Sequence, residues 1–182
     1  MTLLHEILSP LGFNSSQIED IFNSIESEGA RQFCAGKWSV IKDRENLVIV
    51  QKDISEQDDM LLPKEGTVET AQGCLTITRH TSAGEIPRQR NIASLDADII
   101  HFPLTLRKTR NGDRFAPFGM RGTKLVSDYL TDRKKSLIEK QTQLVVTDAK
   151  GEIVWIVDER PSSRCCISKN TKDIIRRKWN KR

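Results

Sequence analysis

The segment Leu104–Asp132, LTLRKTRNGDRFAPFGMRGTKLVSDYLTD, narrows the folds open to this chain most sharply, because strand, turn, loop and helix signals follow one another within it. Leu104 and Leu106 fall on one face of a strand and Thr105 and Arg107 on the other. Asn111-Gly112 supplies two residues that tolerate positive φ, so the chain is expected to reverse there. Pro117, Gly119 and Gly122 then punctuate a loop that holds Phe115 and Phe118. Thr123 is suited to cap a helix whose apolar face would be Leu125, Val126, Tyr129 and Leu130. Arg107, Lys108, Arg110, Arg114, Arg121 and Lys124 crowd this one turn and helix N-terminus. Unpaired backbone N–H groups add to that charge, which predicts an anion cradle.

The N-terminal residues read differently. Leu3, Leu4, Ile7, Leu8 and Leu11 recur at helical spacing until Pro10 and Gly12 stop the helix. Asn14, Ser15 or Ser16 can cap a second helix, Ser16 to Glu19 matches a capping box, and Ile18, Ile21, Phe22 and Ile25 form its expected buried stripe. Two short amphipathic helices need a partner, which the hairpin Trp38–Val50 supplies, turning at Asp43-Arg44-Glu45-Asn46. Residues 1–55 are thus expected as a two-helix plus β-hairpin module, and 56–73, polar and carrying Pro63 and Gly66, as a linker.

Residues 74–182 are expected as a mainly β domain with one principal helix, giving an α+β chain. Cys74–Thr78 reads as a strand, Thr81–Arg90 as an irregular loop, and Ile99–Leu106 as a strand interrupted at Pro103. Gln143–Thr147 and Glu152–Val157 form the clearest hairpin, with Trp155 in its apolar run and so in the core. At the tail, Asn170 or Thr171 can cap a helix reaching Trp179, while Ile174-Ile175 equally suits a last strand.

Charge is divided unevenly. Residues 1–60 hold 5 Lys+Arg and 11 Asp+Glu, and residues 61–182 hold 24 and 14, so halves of −6 and +10 give the overall +4. A basic half suggests a polyanionic partner, most often nucleic acid, although a solvated lysine-rich surface has the same composition. No apolar run approaches a membrane span and no secretory leader is visible, so a cytoplasmic protein without membrane contact is expected. Cys34, Cys74, Cys165 and Cys166 lack C-x-x-C spacing and read as reduced, mostly buried thiols; with three scattered histidines they make no zinc signature.

Read together, LTLRK, the NGDRF turn, the PFGM loop, GTKLVSDYL and GEIVWIV resemble the C-terminal domain of tRNA(Ile)-lysidine synthetase, in register from about Phe102 onward. GFN before a helix and the KDR-x-x-LVI hairpin in residues 1–60 are similar to the family's middle, tRNA-contacting domain. The resemblance implies a ligase of tRNA modification that uses ATP and magnesium to join L-lysine to the wobble cytidine of an isoleucine tRNA with a CAU anticodon. Within it, the C-terminal region is implied to grip the tRNA acceptor end. At the level of fold, it also resembles a domain of the phenylalanyl-tRNA synthetase β subunit. Where the family pattern has a glycine-containing segment after the tryptophan strand, this chain has Asp158–Arg164 and then Cys165-Cys166.

The catalytic parts of such an enzyme are not visible. The S-G-G-x-D-S phosphate loop of the family is missing, as are a G-x-x-x-x-G-K-[ST] loop, a G-x-S-x-G elbow and an H-E-x-x-H motif. The chain is therefore expected to be a tRNA-binding fragment, inactive alone, with no cofactor and no catalytic or metal residues of its own. Arg107, Lys108, Arg110, Arg114, Arg121, Lys124 and Lys134 are the expected RNA contacts, with Arg114 and Arg121 foremost. Asp113 is expected as a turn-stabilising acceptor or internal partner. Ser127-Asp128 belongs to the helix scaffold, and Phe115 and Phe118 are expected to plug the loop into the core rather than stack on a base. The rival reading is a structural, homodimerising or protein-interaction module with a basic surface.

Overall fold

The computed structural model describes residues 1–51, 59–81, 87 and 89–182. It divides into two compact units, Met1–Glu56 with Ser136–Glu139, and Gln57–Lys135 with Lys140–Arg182. Residues 52–55 of the expected module, 56–58 of the expected linker, and 82–86 and 88 of the expected irregular loop lie outside the described residues. No helix among the described residues is long and apolar enough to cross a membrane.

In the first unit, α1 (Thr2–Leu8) runs into a 3-10 turn, Ser9–Leu11, and α2 spans Ser15–Ser24. Asn14, not Ser16, makes the capping box: its side chain accepts from Gln17 N at 2.9 Å while Gln17 Oε1 accepts from Asn14 N at 3.1 Å. The buried stripe is Ile18, Ile21 and Ser24; Phe22 and Ile25 are 43% and 44% exposed, contrary to expectation. The stripe steps by three, and small Ser24 closes it by bonding back to the Ile21 carbonyl, which leaves Phe22 at its margin. The expected hairpin is β2 (Trp38–Asp43) paired with β3 (Asn46–Gln51), extended by a strand not foreseen, β1 (Arg31–Ala35), in the order β1-β2-β3. Leu8, Phe13, Ile18, Ile21, Ala35 and Val40 form the core.

In the second unit the expected linker contains strands: β4 (Met60–Leu62) and β5 (Gly66–Thr70). β4 is apolar throughout, with Leu62 in the core, Met60 packed against it and Leu61 exposed, whereas β5 offers the core only Val68. Next come β6 (Gly73–His80), β7 (Ile92–Asp96) and β8 (Leu104–Lys108). Ile99–Pro103 is not strand, so the interrupted strand of the sequence reading reduces to β8, and β7 was not foreseen. The short pair β9 (Arg114–Phe115) and β10 (Lys124–Leu125) precedes α3 (Val126–Asp132); α4 (Leu137–Thr142) follows, its residues to Glu139 counted with the first unit. The hairpin β11 (Leu144–Thr147) and β12 (Ile153–Ile156) forms as expected, and the tail resolves as a strand, β13 (Ile174–Lys181).

Two four-stranded sheets result, β12-β11-β8-β4 and β5-β6-β13-β7. One core draws on both, with Leu104, Leu106, Leu144 and Val146 from the first and Leu75, Ile77, Leu95, Ile175 and Trp179 from the second; Trp155 is fully buried in it. The other face of β11 and β12 turns Val145, Ile153 and Ile156 toward Val126, Tyr129 and Leu130 of α3 and toward Phe115. Phe115 and Tyr129 meet edge to face at 5.1 Å between centroids. Both faces of β11 are therefore covered, which explains why LVVT is buried at every position.

All four cysteines are free, but only Cys165 is buried, and Cys34 is exposed. Burial pushes the Cys165 thiol up to about 12 and the Cys166 thiol up to about 11. Iodoacetamide at neutral pH is accordingly expected to alkylate Cys34 first and to spare Cys165 until the chain unfolds, as peptide mapping would read. Equal labelling of both in the folded protein would contradict this packing.

Candidate nucleic-acid interface

The turn after β8 is built around Asp113. Arg107 Nη1 and Nη2 donate to its two carboxylate oxygens at 2.8 and 2.9 Å, and the Arg110 backbone N–H donates at 2.7 Å. Asp113 thus closes the Asn111-Gly112 turn as an acceptor, with Arg107 rather than the adjacent Arg114 as its ionic partner. Burial alone would raise the Asp113 carboxyl, but the hydrogen bonds from Arg107 and the Arg110 N–H outweigh it and hold the group below the usual carboxylate range. Arg107 is only 7% exposed, so this arginine shapes the turn from inside.

The other basic residues divide by partner. Arg110 Nη2 donates to both carboxylate oxygens of Asp59, at 2.8 and 2.9 Å, and Lys124 pairs with Asp132. Lys108 is half-buried at the end of β8, and Lys134 is exposed just past α3 with φ 57°. Arg114 and Arg121 are exposed and have no ionic partner among the described residues. A cleft of about 700 Å³ beside the turn is lined by Arg107 and Arg110 but also by Asp59, Asp113 and Asp148. Each arginine there already has its carboxylate, so of the expected arginines those left without an ionic partner among the described residues are Arg114 and Arg121.

The helix expected to complete the anion cradle starts later and without the expected cap. Lys124 and Leu125 pair with Phe115 and Arg114 as β10 on β9, and α3 begins after Leu125 with no side-chain cap. Thr123 therefore lies outside the helix, and the backbone N–H of Val126 is taken by the Asp113 carbonyl at 2.8 Å. Phe115 is buried as expected, but Phe118 is 52% exposed and Met120 50%.

The loop between β9 and β10 is held from behind by the segment that departs from the family pattern. Phe118 N donates to the Pro161 carbonyl at 3.3 Å, Arg160 Nη1 donates to the Phe118 carbonyl at 3.0 Å, and Ser163 N donates to the Ala116 carbonyl at 2.7 Å. Beside it, Glu159 is 3% exposed and receives Arg133 Nε and Lys135 Nζ, each at 3.2 Å, with Tyr129 Oη at 3.4 Å. Burial and then the Glu159 charge raise the Tyr129 hydroxyl above its ordinary value. Sequence reasoning missed Arg160 and Glu159; their position after the tryptophan strand was the available signal. Of the basic tail, Arg177 is fully buried, and burial lowers it to about 10, so it adds nothing to the surface charge.

Residues 1–52 match the family model described as the TilS substrate binding domain. The tRNA(Ile)-lysidine synthase of Bacteroides thetaiotaomicron is 41% identical over 172 residues, covering 94% of this chain and 38% of that protein. The chain is homologous to tRNA(Ile)-lysidine synthases over nearly its whole length. The Parabacteroides distasonis tRNA(Ile)-lysidine synthase is 35% identical over 176 residues, covering 96% of this chain and 40% of that protein. The chain thus spans about two fifths of the length of these curated relatives. A crystal structure of a TILS C-terminal domain, 21% identical, matches the fold with a TM-score of 0.60 over 66% of this chain and 93% of that one. The mainly β second unit has the architecture expected from the resemblance.

Proposed function

We propose that this chain is the tRNA-gripping region of a tRNA(Ile)-lysidine synthase. Its second unit would hold the acceptor end of an isoleucine tRNA with a CAU anticodon while another part of the enzyme uses ATP to join L-lysine to the wobble cytidine. One observation carries the reading: Arg114 and Arg121, exposed and without carboxylate partners among the described residues, lie at the start of and within a loop pinned by backbone hydrogen bonds, in a chain whose relatives are named for a tRNA. An A-form stem is read through phosphates and 2′-hydroxyls, and the arginine fork fits phosphate bidentately. Lys108 and Lys134 would add charge around the pair. Arg110 and Lys124 would contribute by exchanging Asp59 and Asp132 for phosphate, whereas Arg107 would act only by fixing the turn.

No group of three or more His, Cys, Asp or Glu among the described residues is disposed to hold a metal ion, and no glycine-rich phosphate loop is present. The described residues therefore offer no fit for a triphosphate with its magnesium. In this proposal, ATP, magnesium and lysine bind elsewhere in the enzyme.

The test is binding of the chain, and of its R114A/R121A variant, to isoleucine tRNA and methionine tRNA at several salt concentrations. Two lost phosphate contacts should weaken isoleucine-tRNA binding by about ten- to a hundred-fold near ~0.1 M salt and flatten log K against log salt by about 1.5. Unchanged affinity and slope in the folded double variant would reject the assignment. Equal affinity of the unmodified chain for both tRNAs would move their discrimination to another part of the enzyme.

A further inference from the structure

The loop between β9 and β10 has a second property that phosphate binding does not use. Phe118 and Met120 stand exposed at 52% and 50%. Neither is left there by slack in the chain. Pro117 bridges to Ser162, the Phe118 N–H and carbonyl are both taken, by Pro161 and Arg160, and Met120 N closes a turn onto the Pro117 carbonyl at 3.0 Å. Phe115, two residues before Pro117, shows that this stretch can bury an aromatic ring in the core. The backbone thus fixes one phenylalanine inward and presents the other to solvent, at a cost in apolar exposure that an occupant would offset.

We infer that Phe118 and Met120 form an apolar tip that stacks against an unpaired nucleobase at the 3′ end of the RNA, with Arg114 and Arg121 on the adjoining phosphates. The inference rests on the reading of this unit as an RNA grip. Its occupant follows from charge: an apolar pair beside arginines that have no carboxylate partner among the described residues suits a ligand with flat apolar faces on a polyanionic backbone. A base inside a duplex stem keeps its faces stacked on its neighbours, so the tip needs an unpaired one. The acceptor end offers such bases beside the stem that the arginines would hold. Aromatic stacking is tolerant of base identity, so the tip would add affinity without choosing among tRNAs.

The experiment compares two isoleucine-tRNA transcripts, one intact and one lacking its unpaired 3′ nucleotides, bound to the chain and to F118A, M120A and F118W. F118A should weaken binding of the intact transcript about ten-fold, leave the truncated one unchanged, and keep the salt slope of the unmodified chain. F118W should retain intact-transcript binding, and the melting temperature of F118A should stay within a few degrees because the side chain is exposed. An F118A effect equal on both transcripts, or absent on both, would overturn the inference while leaving the arginine reading standing. Failure of the unmodified chain to bind either transcript at low salt would remove the RNA reading itself and this inference with it. Sedimentation supplies the remaining arm: a dimer dissociated by F118A or M120A would show that the tip covers a second copy of the chain, and would also overturn it.

Discussion

Replacing Asp113 with alanine should destabilise the second unit by about 3–5 kcal/mol, because it leaves the buried Arg107 guanidinium without its counter-charge. The Arg107 and Asp113 side chains are 8% and 12% exposed, so water cannot replace the lost carboxylate without opening the turn. The same substitution removes the acceptor for the Arg110 N–H, and the carbonyl of residue 113 holds the first N–H of α3. The loss would therefore spread from the turn to β9, β10 and the helix. Denaturant unfolding of D113A against the unmodified chain measures it, and equal stability would show that the pair contributes nothing. The pH dependence has a definite sign. The folded pKa of Asp113 lies below the ordinary value of 3.8, so the unfolded chain takes up this proton first as pH falls. The stabilisation is complete above the ordinary carboxylate range and is lost as pH drops through the lower folded value. The gap between the unmodified chain and D113N should accordingly narrow in acid. A gap that stayed constant down to low pH would place the stabilisation in shape rather than charge.

Local sequence patterns were readable where neighbours in sequence are also neighbours in space. Leu104 and Leu106 alternate with Thr105 and Arg107 and are 1% and 0% exposed, and Asn111-Gly112 turns where such a dipeptide should. The capping box slipped from Ser16 and Glu19 to Asn14 and Gln17 because three successive residues all suit an N-cap, and composition cannot rank them. β4, β5 and β7 have no more than five residues each, too few for an alternating pattern to stand out, and β4 and β7 gain their hydrogen bonds from β8 and β13, remote in sequence. At the site the charges were legible but their partners were not. Asp59 lies 51 residues from Arg110, and Glu159 lies 26 residues from Arg133. A row of arginines on paper thus divides into one that is structural, one that is neutralised and two that remain available to a ligand.

Gly73→Ala should cost about 3 kcal/mol or more, although it adds a single methyl group. A Cβ at this position would lie 2.8 Å from Trp179 Cζ2 and 3.1 Å from Lys181 Cα, with the Asn180 carbonyl oxygen closer still. Gly73 and Cys74 pair with Lys181 and Asn180, so the obstructing atoms belong to the strand that β6 must reach. Relief by backbone movement would break the end of the β6–β13 ladder. Relief by moving Trp179, which is 4% exposed, would open the core shared by both sheets. Gly151→Ala is the control. Its φ is 78°, and a Cβ there meets nothing within 4 Å, so only the left-handed backbone penalty of about 1–2 kcal/mol applies. Hydrogen exchange should therefore speed at residues 178–181 in G73A and stay unchanged there in G151A. If G73A proved no less stable than G151A, the close approach of β13 to Gly73 would not be what orders the C-terminal strand.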